Sequence, residues 1–467
     1  MKEVVNTWRD YAAVAILFGV NLLNYMDRYA VPSVQIQIQA YFGNVGDTKM
    51  GFLQTSFIVT YLIFCMIFGI LGDRFTRKYI ILFGLTLWTI TVFCCTLVPG
   101  GKENYWYFLA LRAAGGIGEA SYATVVPTII SDLFAKDRRS QMLMVFFFAI
   151  PVGTGLGFMA VSEVANLAGG QWQWGLRVVP ICTGASILLV ALLVKEPERG
   201  ASDHGGIGEE NRSSVLEDIL YLSRNWSFIW TTLGSTMVAF ISGCLPVWVP
   251  TLLDLYYYKN YIVPDKNTIS VMFGGAAVVG GLVGCAMGST LSQVWRRRVG
   301  HHRPDAWLCG VGLLVCCPMG WLSMTLVPFS IAASWVFVYI SVTLISIGWP
   351  VVSDILMYVV VPRRRATAVA VQTAVLHLLG DAFSPLLIGT VSDKLAGSSG
   401  LQQTDYSHFQ HLRDALYVPM IALALGAACF LACSFTIVQD RRKAFQDSMA
   451  PTSSSLAIMQ NEMITKL

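Results

Sequence analysis

Four ionisable residues lie inside long apolar stretches in the first half of the sequence, where charge is costly. Asp27 and Arg28 share one stretch, and Arg112 and Glu119 share another. A charged side chain in a bilayer costs about 2.5–3.5 kcal/mol on insertion scales, so each of the four requires a partner or water. Adjacent helix positions point about 100° apart, whereas positions two turns apart share a face. We therefore predict the cross-helix pairs Asp27–Arg112 and Arg28–Glu119. A static network that only packs two helices together is the simpler alternative.

A second pair of ionisable residues lies in the last quarter of the chain. His377 and Asp381 are four positions apart, so they share one face of a helix. An imidazole ordinarily changes charge near pH 6.5, and a neighbouring carboxylate favours the charged form. The spacing indicates a proton-responsive pair, with an ordinary hydrogen-bonded histidine as the alternative.

The elements that position these residues follow from the composition. Of 467 residues, 55% are apolar and 13% are charged, against about 25% charged in ordinary soluble domains. This argues against a soluble enzyme, a nucleic-acid-binding protein and a disordered scaffold, and it predicts an all-α membrane protein. Stretches long and apolar enough to span a bilayer, about 20 residues, occur twelve times. They cover residues 11–40, 51–71, 79–98, 105–130, 141–165, 177–194, 226–253, 268–294, 304–327, 330–361, 366–391 and 412–438.

The basic residues indicate the orientation of these twelve spans. With the N-terminus in the cytoplasm, 23 of the 32 lysines and arginines fall on the cytoplasmic side and 7 on the other, while Arg28 and Arg112 lie inside spans. Cytoplasmic loops of membrane proteins carry such an excess. We therefore predict a multi-pass membrane protein with both termini in the cytoplasm.

One long polar connection divides the spans into two sets of six. Residues 195–225 are rich in glycine, serine and charge, and their last part has apolar residues at helical spacing. This predicts a cytoplasmic linker with an amphipathic helix on the membrane surface. We expect an N-terminal six-helix bundle in 1–194, the linker, a C-terminal six-helix bundle in 226–438 and a cytoplasmic tail in 439–467.

The two halves are weakly similar to each other. The segments 136–153 and 362–379 both begin with a basic cluster and continue into a span rich in small residues. Paired halves of this kind are typical of transporters built from repeats. Chance similarity is the alternative for this one match.

The 11 cysteines give no sign of chemistry of their own. All lie in apolar stretches, and the adjacent pairs Cys94–Cys95 and Cys316–Cys317 lack the spacing of a metal-binding motif. We interpret them as small apolar core residues, and we expect no disulfide framework, no metal site and no cofactor.

Three motifs point to one large family of membrane transporters. Residues 69–78 read GILGDRFTRK, residues 112–118 fit the pattern R-x-x-x-G-x-G, and residues 151–157 fit P-x-G-x-G-x-G. These motifs resemble those of the major facilitator superfamily, whose fold is two pseudo-symmetric bundles of six helices. Thr76 stands where the loop motif usually has glycine. The resemblance implies alternating exposure of a central site to the two sides of the membrane.

The resemblance also implies that the loop after the second span forms a cytoplasmic gate from Gly69, Asp73, Arg74 and Arg77. Asp73 would face the N-terminus of span 11, where unpaired helical N–H groups favour an anion. Arg74 and Arg77 would bridge to acids of adjacent loops. The second-half counterpart at 288–298 lacks the acid, so a gating lock would depend on the first half. The alternative is a solvated loop whose basic residues only set the orientation.

Longer stretches resemble the spinster family within this superfamily. They are NYMDRYAV at 24–31, GDRFTRKY at 72–79, GEASYATVVPTIISDLF at 118–134 and FAIPVGTGLG at 148–157. The family is linked to the export of lysolipids and sphingolipids. The resemblance implies a proton-coupled transporter of a lysophospholipid or sphingolipid in the lysosomal or late endosomal membrane, with the plasma membrane as the alternative.

The same resemblance assigns the four charged residues of the first half to proton coupling and to binding of the lipid headgroup. His377 and Asp381 are the second-half candidates for this role. Tyr25 and Tyr122 are predicted to line the path of the acyl chain. We expect a monomer whose partners are the lipid, protons and the membrane, without nucleic acid.

Other functions fit the sequence less well. The main alternative is a proton-linked or facilitative carrier of another small organic anion, a sugar or a drug-like molecule. A channel is disfavoured because no re-entrant, filter-like segment occurs. A membrane enzyme is disfavoured because neither HExxH nor GxSxG occurs, and ATP-driven transport because no phosphate-binding glycine loop occurs.

Overall fold

The structure, a computed structural model, describes residues 7–134, 136–197, 215–259, 266–361, 364–398 and 405–449. Nearly all of these residues are helical, and no strand occurs among them. The helices of the first half are α1 (Trp8–Ser33), α2 (Gln35–Tyr41), α3 (Asp47–Arg74), α4 (Arg77–Cys95), α5 (Tyr105–Leu133), α6 (Lys136–Leu167) and α7 (Trp172–Leu193).

The second half contains ten further helices and two π-helical turns within its described residues. The helices are α8 (Val215–Ser223), α9 (Trp226–Lys259), α10 (Lys266–Gly275), α11 (Gly281–Val299), α12 (Arg303–Thr325), α13 (Ile331–Val359), α14 (Arg365–Leu376), α15 (Ser384–Ser398), α16 (Asp405–Ala415) and α17 (Val418–Met449). The turn Ala276–Gly280 joins α10 to α11, and the turn His377–Asp381 joins α14 to α15. Each joined pair forms one membrane-crossing segment, here segment 8 and segment 11.

The predicted all-helical membrane fold is confirmed. By length and hydropathy, the described residues contain ten helical segments that are apolar enough to cross a membrane. The two other long helices, α1 and α5, correspond to the first and fourth predicted spans. They hold the buried charges predicted from the sequence, and those charges lower their hydropathy.

Two predicted spans are interrupted, and a proline lies beside each break. The predicted span 11–40 ends as α1 just after Pro32, which lacks the N–H that would continue the helical ladder, and the chain resumes as α2. The predicted span 412–438 begins inside α16, and α17 starts only at Val418, with Pro419 in its first turn. Proline is tolerated there because first-turn N–H groups have no helical partner. Helix α17 also continues beyond the predicted end of the span, to Met449.

The helices pack as two groups that follow the order of the chain. In the first half, α1 packs along α6, while α3 and α4 pack along α5. In the second half, α9 and α12 pack along α17, and α12 packs along α13. Buried apolar side chains fill each group, with Trp88 and Ile129 in the first and Ile355 and Phe430 in the second. The fold is therefore two helical bundles joined face to face.

The two bundles meet most closely where α3 contacts α15. A Cβ atom placed on Gly51 would lie 2.3 Å from the carbonyl oxygen of Pro385, and one on Gly389 would lie 2.3 Å from that of Asp47. Only glycine permits such an approach of two backbones. The helices α6 and α10 also pack across the junction, as do α1 and α9.

The bundles separate toward one side of the membrane. We call the side where α1 begins and α17 ends the terminal side, and the side where α3 begins and α15 ends the far side. Helix α3 packs along α15 and the π-helical turn of segment 11, whereas α14, the terminal-side part of that segment, packs on α9 of its own half. Toward the terminal side, α3 exposes Ile63, Met66 and Ile70 by 49%, 69% and 58%. The halves are thus joined at the far side and diverge toward the terminal side.

A short helix packs on α9 and α14 of the second half at the terminal side. In α8, Leu216, Ile219 and Leu220 are exposed along one face, while Leu222 is buried. The Asp218 carboxylate lies 2.8 Å from Nε of Arg364, at the start of α14. Residues 198–214 of the predicted linker lie outside the described part of the chain.

Candidate functional site

The first buried ion pair joins α1 to α5. Nη1 of Arg112 lies 2.6 Å from Oδ2 of Asp27, and Nη2 donates a 2.8 Å hydrogen bond to the Asp27 carbonyl. The indole Nε1 of Trp88, on α4, donates to the same carboxylate oxygen at 3.1 Å. Both charged side chains are almost completely buried. Three helices therefore meet at this pair, and Trp88 orients the carboxylate in a way that the sequence analysis missed.

The second ion pair joins the same two helices and is bordered by aromatic rings. Nη2 and Nε of Arg28 lie 2.6 Å and 2.7 Å from Oε1 of Glu119. The guanidinium carbon of Arg28 lies 4.7 Å from the ring centre of Tyr61 and 5.3 Å from that of Tyr25. These separations allow a cation–π attraction. Both pairs predicted from helical spacing are present in the structure.

The small residues of the R-x-x-x-G-x-G motif explain how the rings reach the arginines. A Cβ atom on Gly116 would lie 2.5 Å from the carbonyl oxygen of Phe57, so α3 approaches α5 closely. The Phe57 ring consequently lies 4.7 Å from the guanidinium carbon of Arg112 and 5.9 Å from that of Arg28. The motif thus supplies both a cation and the space for its aromatic neighbours.

The carboxylates of these pairs share an unusual feature. Oε1 of Glu119 accepts the bonds from Arg28, whereas Oε2 is buried and has no hydrogen-bond partner among the described residues. Oδ1 of Asp27 and Oδ1 of Asp381 are in the same condition. A buried polar atom without a partner is costly. In each of these carboxylates, one oxygen holds the contact with its basic partner and the other is left without a bond.

The second-half pair lies in the π-helical turn of segment 11. Nδ1 of His377 lies 2.8 Å from Oδ2 of Asp381. The wider π-helical ladder bonds Ala382 N–H to the His377 carbonyl, and the Ala382 carbonyl accepts a 2.5 Å hydrogen bond from Thr55 on α3. Ala382, the residue after Asp381, also packs against Phe57 and Ile58 of α3, across the junction of the halves. The sequence analysis predicted this pair correctly but placed it on an ordinary α-helix. A π-helical turn leaves no distinct pattern in a single sequence.

The two tyrosines predicted to line a cavity lie in different surroundings. Tyr25 is half-buried beside Arg28. Tyr122 is fully buried among apolar side chains of α1, α5 and α6, and its hydroxyl donates to the carbonyl of Leu17. This corrects the prediction for Tyr122, because a side chain fixed to the backbone of α1 inside the bundle lines no open path.

Of the predicted gate residues, Arg77 has the most contacts. It lies in the first turn of α4, with Nη1 2.6 Å from Oδ2 of Asp132 and Nε 3.0 Å from Oε1 of Glu196. Glu196 also accepts from the backbone N–H groups of Arg77 and Lys78, at 3.1 Å and 2.8 Å. Partial burial opposes its ionisation, but these bonds outweigh burial and lower the pKa of Glu196. Arg77 therefore ties α4 to the ends of α5 and α7 within the first half.

The other gate residues lie at the end of α3. Gly69 and Arg74 are exposed, and the side chain of Asp73 lies outside the described part of the structure. In the second half, the counterpart motif at 288–298 contacts an acid that belongs to a different helix, outside the motif. Asp305, at the start of α12, is fully buried and accepts from Ser292 at 2.6 Å and from Tyr358 at 2.9 Å. Nη1 of Arg296 lies 3.3 Å from it.

The site combines two buried ion pairs and their aromatic neighbours in the first half with the His377–Asp381 pair of the second half. Within the described residues, no group of three or more histidine, cysteine, aspartate or glutamate side chains is positioned to hold a metal ion. Residues 17–385 match the family model of the Major Facilitator Superfamily. Together with the two helical bundles around a buried charged site, this match defines the chain as a membrane transporter of that superfamily rather than an enzyme.

Individual relatives narrow the class. Protein spinster homolog 3 of Danio rerio is 43% identical over 444 residues, which cover 93% of this chain and 87% of the relative. Protein spinster homolog 1 of Homo sapiens is 40% identical over 448 residues, which cover 93% and 83%. The chain therefore belongs to the spinster family. The crystal structure of a bacterial homolog to the human lysosomal transporter spinster has the same fold, with a TM-score of 0.81 at 20% identity, covering 93% of this chain and 98% of that one.

Proposed function

We propose that this transporter moves a lysophospholipid or a sphingolipid across the membrane by alternating access, in symport with protons. The observation that carries the proposal is the Arg28–Glu119 pair. It is buried within the first half, and three aromatic rings lie within 6 Å of the guanidinium carbon. One of these rings, Phe57, packs against Ala382 of the other half, the residue next to Asp381. A buried arginine whose counter-charge can be neutralised is a ready partner for the phosphate of a lipid headgroup.

The geometry of Glu119 supports a link between protons and substrate. Its free oxygen, Oε2, can take a proton while Oε1 still accepts from Arg28. Protonation removes the negative charge of the pair and leaves the arginine without a counter-ion, which is costly in a buried site. An anionic headgroup relieves that cost. Proton and headgroup therefore favour each other's binding, as symport requires.

The surface toward the terminal side suits an apolar chain. Where the bundles diverge, large apolar side chains of α3, α6 and α11 are exposed, namely Ile63, Met66, Ile70, Met144, Phe148, Met287 and Leu291. Such surfaces let an acyl chain remain in an apolar environment while the headgroup reaches Arg28. A sugar or a small hydrophilic anion gains nothing from them.

The proposal includes an orientation and a location. The excess of lysine and arginine supports a cytoplasmic terminal side, with two bundles at 1–194 and 226–438 and a cytoplasmic linker between them. The spinster relatives support the lysosomal or late endosomal membrane, since one solved relative is described as homologous to a human lysosomal transporter. We take the transporting unit to be a monomer, because the site lies within one chain.

The proposed cytoplasmic gate closes when Asp73 reaches the N-terminus of α14. This contact would hold the terminal ends of α3 and segment 11 together in the opposite conformation of the cycle. The variant Asp73→Asn removes the anion, so transport should fall while folding stays near normal, because the residue lies at a helix end. Unchanged transport would make the loop a determinant of orientation only.

The substrate class is tested with purified protein in liposomes. We expect saturable uptake of a lysophospholipid or a sphingolipid when a pH gradient is imposed, and loss of that uptake in Arg28→Gln. Arg413→Gln is the matched control, because Arg413 is partly exposed at the far side and, among the described residues, forms its ion pair with its neighbour Asp414. Gradient-driven uptake of a nucleoside, a sugar or a small organic anion, without any lipid uptake, would favour the alternative carrier instead.

A further inference from the structure

An aspartate of the second half holds the N-terminus of α3. Oδ1 of Asp393 accepts from the backbone N–H of Asp47 at 3.1 Å, and Oδ2 accepts from that of Thr48 at 2.8 Å. These are the first two residues of α3, whose N–H groups have no helical partner and favour an anion. The preceding residue, Gly46, has no side chain to cap the helix, and a Cβ atom there would lie 2.8 Å from Asp393 Oδ2. The cap of a first-half helix thus comes from the other half.

A second set of bonds reinforces this contact through the Asp47 side chain. Its carboxylate is almost completely buried. Oδ1 accepts from Gln39 of α2 at 3.0 Å, and Oδ2 accepts from the hydroxyl of Ser392 at 2.8 Å and lies 2.8 Å from Nε2 of His408. Two of the three partners belong to the second half. Separating the bundles at this point breaks all of these cross-half bonds together.

The arrangement mirrors the gate proposed for the terminal side. In the gate proposed above, Asp73, at the terminal-side end of α3, contacts the start of segment 11. Asp393 lies at the far-side end of segment 11 and contacts the start of α3. Each of the two segments therefore carries one acid near its last residues, on opposite sides of the membrane. The partner of each acid, observed or proposed, is the N-terminus of the other segment. One contact is made in this structure, with the bundles joined at the far side.

We propose that Asp393, Asp47 and His408 form a far-side lock that closes the non-cytoplasmic side of the transporter and strengthens when that side is acidic. The proposal rests on the alternating access proposed above. Closing brings Asp393 onto the two N–H groups of α3 and Asp47 onto His408. Opening exposes these N–H groups and both carboxylates to water. The lock therefore sets the ratio of the two conformations and does not contact substrate.

The charge of His408 determines the response to pH. A protonated imidazole forms a charge-assisted bond with Asp47, which is about twice as strong as a neutral one. An imidazole loses its proton near pH 6.5, so the far side should be held closed at pH 5 and loosened at pH 8. The other ionisable groups described at the far-side ends of α3, α9, α15 and α16 are Asp47, Lys49, Asp254, Asp393, Lys394, His411, Arg413 and Asp414. Of the bases, Lys49 lies over the rings of Tyr105 and Trp106, and Arg413 pairs with Asp414.

The lock is tested by a distance measurement that needs neither lipid nor a gradient. Spin labels are placed at Glu103→Cys and Phe329→Cys, two exposed far-side positions in different halves, in protein whose reactive native cysteines have been replaced. In nanodiscs at pH 5, we expect one short distance for the wild type. Asp393→Asn should raise the open-to-closed ratio about tenfold, since it removes the charge and one of two acceptors at the helix start. Asp414→Asn, which changes an exposed far-side acid, should leave the distance distribution unchanged.

The pH dependence separates a lock from a merely structural contact. The wild-type distribution should broaden toward longer distances between pH 5 and pH 8, and His408→Gln, which keeps a hydrogen-bond donor but cannot become charged, should abolish this change. Ser392→Ala, which removes a single bond, should give an intermediate ratio if Asp393→Asn does not fold. Identical distributions for the wild type, Asp393→Asn and Ser392→Ala, or the same pH response in His408→Gln, would overturn the proposal. Because these distances are measured without transport, the proposed lock can be confirmed or refuted independently of the proposed substrate.

Discussion

Replacing Glu119 by glutamine isolates the role of its charge. Glutamine has nearly the same shape, and its amide oxygen can still accept both bonds from Arg28, which now end on a single oxygen of Glu119. Removing one partner of a buried ion pair altogether costs about 3–5 kcal/mol. Because the amide keeps bonds to a charged donor, we expect Glu119→Gln to lower the free energy of unfolding by only about 1–2 kcal/mol. The variant should therefore fold, while losing the ability to take up and release a proton.

The assay is lipid flux in liposomes with an imposed pH gradient. Wild-type flux should depend on the gradient, since in the proposed mechanism protonation of Glu119 frees Arg28 for an anionic headgroup. Flux through Glu119→Gln should either lose its pH dependence or stop, because one protonation state is fixed. Glu163→Gln is the matched control: Glu163 is a half-buried acid of α6 that takes no part in the site. It should keep both the wild-type rate and the wild-type pH profile.

One outcome would refute this reasoning directly. If Glu119→Gln transports at the wild-type rate with the wild-type pH profile, Glu119 is a packing residue. Proton coupling would then have to depend on His377 and Asp381, or the carrier would be uncoupled. Impaired flux with unchanged pH dependence would equally contradict a role in coupling.

Three further predictions follow from contacts elsewhere in the structure. Arg112→Ala should cost about 3–5 kcal/mol of stability, because it leaves the Asp27 carboxylate buried and without its counter-charge. Trp88→Phe removes one hydrogen bond to that carboxylate and should cost about 1–3 kcal/mol. Thermal unfolding in detergent compares the two variants. Glu196→Gln should lower stability more at neutral pH than at pH 3. A carboxylate with a lowered pKa stabilises the fold above its unfolded pKa of about 4.3 and loses that effect as the pH falls toward and through its folded value. Unfolding midpoints of both proteins at the two pH values measure this. Tags at both termini and within 200–212 should all be accessible from the cytoplasm in selectively permeabilised cells, and a tag exposed only to the other side would reverse the orientation.

Local periodicity was enough to predict the helices and the two first-half ion pairs. Apolar length alone marks a span, since a bilayer imposes the same minimum on every crossing helix. The pairing of Asp27 with Arg112 and of Arg28 with Glu119 follows from two rules, that buried charges need partners and that neighbours on one helix face apart. Both rules depend on the spacing of a few residues, so they can be applied to a single sequence.

Contacts made by one residue from a distant helix were not predictable in this way. Trp88 contacts Asp27, and Asp393 contacts the start of α3 from 345 residues away. Neither residue lies at a sequence spacing from which its partner could be predicted. The signal that was available is weaker: Asp47 directly follows a glycine at a helix start, which marks a helix in need of a cap. The π-helical turn at His377–Asp381 was missed for a related reason, because its extra residue per turn depends on packing against α9 rather than on composition.

The pairing of α1 with α5 also has a consequence for how the chain enters the membrane. Arg112 is made 85 residues after Asp27, and Glu119 is made 91 residues after Arg28. At about 5–20 residues per second, α1 therefore waits about 4–18 seconds for its partners. During that interval its two charges lack counter-ions, at an insertion cost of about 2.5–3.5 kcal/mol each. The charges of α1 thus gain their partners in the bilayer only when α5 arrives, so we expect substitutions at these four positions to affect the yield of inserted protein as well as transport.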